Sequence, residues 1–187
     1  MYLTRLLAPW TWRDRGARFA HFARAELSSR YDLLAAANLT PDPERAAALI
    51  RHASDEARHA RLFHQRAREL GQTAPLRADF EHLYETLGEG AFFAFVHRGE
   101  ARACRQFDVW TPYLDGRDRA ALEAVRPDEE RHRTYTAAWA APGGRAAWWE
   151  AGRAWLRLGR AGSMAVYRVL TTALYLLLAP LAWAVRR

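Results

Sequence analysis

The chain predicts an all-α protein, an antiparallel four-helix bundle followed by a C-terminal hydrophobic helix. Three observations carry that expectation. Ala and Arg abound, while the alternating β-branched runs that mark strands are scarce. Proline- and glycine-bearing stops at 38–43, 71, 111–116 and 142–144 cut the chain into segments of helical length. The motif Asp-Glu-x-Arg-His occurs twice, at 55–59 and 128–132, each time inside such a segment.

The elements follow in order. Residues 1–17 form an amphipathic segment with Leu3, Leu6, Leu7 and Trp10 at helical spacing. It reads equally as a membrane-surface helix or as a cap on the bundle. A first helix is expected over 18–38, with Phe19, Phe22, Glu26, Ser29 and Leu33 on its inward stripe. Pro41 and Pro43 stop it and restart a second helix over 43–70, which Gly71 ends. Its stripe holds Leu49, His52, Glu56, His59, Phe63 and Leu70. Residues 72–90 form a crossover with a short helix at 79–87. A third helix is expected over 89–110, with Phe93, Val96, Glu100, Cys104 and Phe107 inward. A turn at 111–116 leads to a fourth over 117–139. Pro127 lies inside that last helix, where it removes a backbone hydrogen bond and kinks the axis, two residues before Glu129. The bundle domain is thus placed at 18–141 and a membrane-associating tail at 142–187. The tail begins as an amphipathic Trp/Arg helix at 145–160. Residues 169–185 then run without a charge, a length of ~25 Å as a helix. That is at the short limit for a hydrocarbon layer of ~30 Å.

Charge and aromatic residues divide along the same boundaries. The 187 residues carry a net charge of +7, and every basic residue is Arg. Residues 1–18 hold four Arg and one Asp, net +3; residues 145–187 hold seven Arg and one Glu, net +6. The remainder, 17 Arg against 19 acids, is net −2. All the Phe lie between Phe19 and Phe107, whereas Trp10, Trp12, Trp148, Trp149, Trp155 and Trp183 are assigned outside the bundle. Phe fills cores, and Trp with Arg favours membrane–water interfaces. A membrane lipid surface is therefore an expected partner, with the bundle on the cytoplasmic side. Nucleic acid is not, because the part that would face it is acidic. Cys104 is the sole cysteine, which excludes an intrachain disulfide and a cysteine-based iron–sulfur or rubredoxin site. Nothing resembles a cleavable signal peptide.

The chemistry lies in the repeated motif. Within a helix, Glu and the His three residues on share a face, about 5–6 Å apart at Cβ, so that one ion can take both. Glu26 stands 30 residues before Glu56, and Glu100 stands 29 before Glu129. With turns near 38–42 and 112–116, the two arms of each helical hairpin are ~20 Å long. Glu26 therefore comes level with Glu56, and Glu100 with Glu129. Two hairpins packed face to face bring four Glu and two His to one depth. Asp55 and Asp128 each stand four residues before a His and are candidate partners for its second nitrogen, on the same helix or across the bundle. Arg58 and Arg131 are candidates to pair with those Asp. His52 and His97 read as core or rim polar groups, Cys104 as a small core residue, and Tyr135 as an ordinary buried or interface tyrosine.

The set Glu26, Glu56-x-x-His59, Glu100 and Glu129-x-x-His132 resembles the ferritin-like di-iron carboxylate superfamily, over roughly residues 18–140. The resemblance implies a ferritin-like bundle and a centre of two iron ions, with manganese as the alternative. It implies bridging roles for Glu56 and Glu129, terminal roles for Glu26 and Glu100, and one ion each for His59 and His132. Zinc is disfavoured, because oxygen-rich shared carboxylate sites suit redox-active metals and tetrahedral zinc prefers Cys and His. With the tail, the chain is similar to demethoxyubiquinone hydroxylase and related lipid-modifying di-iron proteins. That implies a membrane-associated monooxygenase or desaturase acting on a lipid or quinone. An external reductase would supply electrons, and a second copy of the chain is a further candidate partner. A rubrerythrin-like peroxidase or ferroxidase and a non-enzymatic metal-binding membrane protein are the alternatives.

Overall fold

The computed structural model describes residues 12–114 and 116–140. All regular structure among them is helical. The chain divides into two compact units, 1–146 and 147–187. The second unit lies outside the described residues, and with it the expected tail; so does most of the N-terminal segment.

Helix α1 spans Arg15–Leu39, earlier than the expected start at 18. The cause is Asp14, whose carboxylate accepts the Ala17 N–H at 2.9 Å and satisfies a first-turn amide. Thr40 ends the helix in an extended conformation. Helix α2 spans Pro43–Glu69. Asp42 caps it by accepting from Glu44 N at 2.9 Å and Arg45 N at 3.2 Å, with Pro43 in the first turn. At its other end Gly71 takes φ +90°, and the Gln72 amide returns to the Ala67 carbonyl at 3.0 Å. Only glycine enters that region without strain, which is why the helix stops here.

The crossover is mostly irregular. Its short helix α3 spans only Leu83–Leu87, shorter than the expected 79–87. Asp32 anchors its start by accepting the Leu83 N–H at 3.2 Å. Helix α4 spans Glu89–Trp110 and passes into a 3₁₀ turn at Thr111–Tyr113. Helix α5 spans Gly116–Trp139 and continues through Pro127. Helices α1 and α2 pack along each other, as do α4 and α5, and α2 also meets α5.

Two apolar clusters organise the interior. One contains Phe19, Phe22, Phe63, Phe107, Trp110, Leu122 and Val125. The other contains Leu33, Leu49, Leu83, Leu87, Phe92, Phe93 and Val96. On each long helix a Glu of the expected ligand set falls between the positions that feed the two clusters. Glu26 lies between Phe22 and Leu33, Glu56 between Leu49 and Phe63, Glu100 between Val96 and Phe107. A buried polar layer is therefore held from both sides by hydrocarbon. Trp12 is a correction to its expected place outside the bundle. It is buried against Phe19, Phe22 and Trp110, with ring centroids 5.3, 6.0 and 5.6 Å away. Beyond the polar layer, buried Asp118 ties three helices together through Arg15 at 2.9 Å and Arg66 at 2.6 Å. A buried carboxylate with two guanidinium partners avoids the cost of an unpaired charge.

Candidate metal centre

The polar layer contains Glu56, His59, Glu100, Glu129 and His132, all buried, together with partly buried Glu26. Two groups of four within it can each hold a metal ion. Glu26, Glu56, His59 and Glu129 place one ligand atom each within 4.8 Å of one another. Glu56, Glu100, His132 and His52 do the same. Glu56 belongs to both groups. Every one of the six residues singled out from the sequence is in one group or the other. His52 is the addition.

The spacings suit a cation. Ligand atoms at ordinary metal–nitrogen and metal–oxygen lengths lie about 3.0–3.4 Å apart around one ion. Here His59 Nδ1 is 3.3 Å from Glu129 Oε1 and 4.0 Å from Glu56 Oε2. His132 Nδ1 is 3.5 Å from Glu56 Oε1 and 4.0 Å from Glu100 Oε2. His52 Nε2 is 2.8 Å from Glu56 Oε1 and 3.3 Å from Glu100 Oε1. Four atoms at the middle of the layer, Glu56 Oε2, His59 Nδ1, Glu129 Oε1 and His132 Nδ1, are buried without a hydrogen-bond partner. Buried polar atoms are rarely left this way, since each costs about 1–3 kcal/mol. Three of these residues belong to the first group and His132 to the second, so a cation in each group would satisfy all four atoms.

The titration of the layer tells the same story. Burial raises the Glu56 pKa well above normal, and the neighbouring Glu26, Glu100 and Glu129 carboxylates raise it further. Burial, then Glu100, pushes Glu129 up to about 8; burial and Glu26 push Glu100 up to about 7. Glu26 is raised too, by burial first. His52 and His132 are lowered to about 3, chiefly by burial, so both rings are neutral. Burial opposes charge on His59 as well, yet Glu129, Glu26 and Asp128 hold its pKa above normal. Carboxyl groups crowded out of water hold their protons more tightly, and a cation would displace those protons.

A second layer fixes the imidazoles. The outer nitrogen of His59 meets Asp128 Oδ2 at 3.1 Å, and that of His132 meets Asp55 Oδ2 at 3.1 Å. Each Asp thus reaches across to the other motif's His, one of the two geometries open from sequence. Arg131 bridges the two Asp, at 2.7 Å to each, and Arg58 does the same from the other motif, at 3.0 Å to Asp55 and in close contact with Asp128. These contacts outweigh burial and hold Asp128 down at about 2, and Asp55 below normal. Both Asp stay ionised, and an imidazole that donates to a carboxylate presents its other nitrogen unprotonated. Arg58 and Arg131 are exposed, so each ion pair by itself contributes little to stability.

The remaining candidates sort plainly. Cys104 is buried, and burial, then Glu129, pushes its thiol up to about 11. It stays a thiol with Sγ 3.7 Å from Glu130 Oε2. His97 Nδ1 donates to the Arg133 carbonyl at 3.0 Å, away from the two groups. His52 is 1% exposed, its Nδ1 is 2.5 Å from the Tyr135 hydroxyl, and its ring stacks on His132 at 3.6 Å between centroids. The signal for it was in the sequence: it stands four residues before Glu56 and seven before His59, on one helix face.

Compared with protein-family models, curated proteins and solved structures, the chain matches none. An all-helical chain with a buried His/Glu cluster able to bind metal is compatible with a ferritin-like fold. Among the described residues, no helix is long and apolar enough to cross a membrane.

Proposed function

We propose that this chain is a membrane-associated di-iron oxidoreductase of the ferritin-like type, which uses dioxygen to hydroxylate or desaturate a lipophilic substrate. The observation that carries the metal assignment is the pair of four-residue groups that share Glu56. In this reading the four long helices form an antiparallel four-helix bundle, and Glu26, Glu56, His59, Glu100, Glu129 and His132 are ligands. Glu56, common to both groups, would hold two ions side by side, and two redox-active ions would supply the electrons that dioxygen takes up.

When bound, the ions supply the redox chemistry. The chain does the rest. Glu56 and Glu129 would give up protons on metal binding, and with Glu26 and Glu100 their charge would balance that of two divalent cations. Asp55 and Asp128 hold His132 and His59 in the tautomer that presents Nδ1 to the centre. The two apolar clusters exclude water on either side, which strengthens every electrostatic contact between them. The arginine- and tryptophan-rich tail, with its uncharged run at 169–185, supports delivery of a substrate from a membrane.

The test is oxygen consumption by the iron-loaded, chemically reduced full chain with extracted lipids. Lipid-dependent uptake with a hydroxylated or unsaturated product supports the reading. Turnover of peroxide or of ferrous iron alone, unaffected by lipid, would replace it with a peroxidase or ferroxidase.

A further inference from the structure

We infer that His52 is a seventh ligand, so that the ion held by Glu56, Glu100 and His132 takes two imidazoles while its neighbour takes one. This rests on the di-metal reading above. It concerns how the two halves of that centre differ.

Three independent observations carry it. The first is position. His52 Nε2 lies 2.8 Å from Glu56 Oε1 and 3.3 Å from Glu100 Oε1, the separation of neighbouring ligand atoms around one ion. The second is orientation. All three buried imidazoles turn one nitrogen outward to a fixed partner and the other inward to the carboxylates. The outer partners are Asp128 for His59, Asp55 for His132, and the Tyr135 hydroxyl for His52. Metal-bound imidazoles are held in this way, through the nitrogen that does not ligate. The third is packing. His52 and His132 are both 1% exposed and stacked face to face, an arrangement that suits two neutral rings and would be repulsive for two cations.

The rival is that His52 only orients Glu56, and the two readings differ in where one proton sits. As a ligand, His52 has Nε2 unprotonated, and Nδ1–H donates to the Tyr135 oxygen. As an orienting group, Nε2–H donates to Glu56, and the Tyr135 hydroxyl donates to Nδ1. Tyr135 itself packs edge-on to His52 and against Trp139, with centroids 5.7 and 4.9 Å away, so its hydroxyl is held in place either way. A chemical asymmetry follows from ligation. Imidazole suits iron, cobalt and zinc, while carboxylate oxygen suits manganese. The half with His52 and His132 therefore retains cobalt or iron when manganese competes, and the carboxylate-rich half exchanges first.

The experiment loads the full chain with cobalt(II) alone and counts paramagnetically shifted, exchangeable imidazole N–H signals by proton NMR. Each ligating His contributes one, from its outer nitrogen. We expect three signals in the wild type, with two cobalt ions per chain. His52→Gln, which keeps a hydrogen-bond donor for Glu56, should lose one signal and bind one of its two ions at least tenfold more weakly. Tyr135→Phe should keep three signals and displace one of them. Two ions with only two shifted signals in the wild type would overturn the assignment of His52 while leaving the di-metal centre intact. A wild-type chain that binds no cobalt would instead overturn the di-metal reading. If His52→Gln fails to fold, as read from its helical circular dichroism, the wild-type signal count still decides.

Discussion

Removing the metal should make the chain less stable as pH rises, the reverse of what most proteins show on leaving acid. Glu129 and Glu100 have their pKa values raised from 4.5 to about 8 and about 7. A carboxyl raised in the folded state binds a proton that the unfolded chain has already released. Its stabilising contribution is complete below the unfolded value and is lost as pH climbs through the folded one. His52 and His132 are depressed to about 3, which has the opposite sign. Their effect is nearly spent above pH ~7, where the unfolded imidazole is mostly neutral as well. Between pH ~7 and ~8.5 the carboxyls dominate, and the loss is about 1–2 kcal/mol. For a chain of this size that lowers the thermal midpoint by roughly 5 °C. The assay is thermal unfolding by circular dichroism of chelator-treated protein over that range. The iron-loaded chain should show the opposite slope, because protons compete with the metal for the same atoms. A metal-free midpoint that rises, or stays within about 1 °C, would show that the four carboxyls do not share one buried layer.

Other expectations concern single parts. Asp128→Asn should leave the helical content intact and weaken metal binding roughly 10–100-fold, measured by competition with a chromophoric chelator, since His59 loses the carboxylate on its outer nitrogen. Phe63→Ala should cost about 3–5 kcal/mol in denaturant unfolding, because Phe63 is fully buried against the rings of Phe19 and Phe22. Truncation after Gly144 should move the protein from the membrane pellet to the soluble fraction with its metal retained. A truncated chain that aggregates or loses metal would make residues 145–187 part of the protein's own core.

The helices were legible because their ends are written in local chemistry: Asp42 with Pro43, Gly71, and the turn around Pro112. Helix α1 starts three residues before the expected position, since the Asp14 cap has no periodic apolar stripe before it to announce it. The side chains of Glu26, Glu56, His59, Glu100, Glu129 and His132 converge as helix register demanded, because residues level on neighbouring helices must meet if the helices pack. Which His each Asp would serve was not legible. Once both imidazoles turn Nδ1 to the centre, Nε2 projects toward the opposite helix, and the Asp four residues back on its own helix is out of line. The sequence does not set His52 apart, because a lone buried His is more often a core group. Only the Tyr135 hydroxyl, 83 residues away, shows that its ring is aimed. Composition places Trp12 with the tail tryptophans, and composition does not report its packing on Phe19, Phe22 and Trp110.

The most direct test of the central claim is the iron content and magnetic state of the full chain loaded anaerobically and then oxidised. Two ions sharing the Glu56 carboxylate predict two irons per chain and an antiferromagnetically coupled pair, silent in electron paramagnetic resonance and resolved by Mössbauer spectroscopy. Glu56→Ala should abolish both the pairing and most of the binding. A single iron per chain with the signal of an isolated high-spin ferric ion, or a Glu56→Ala chain that keeps its full complement, would contradict the account.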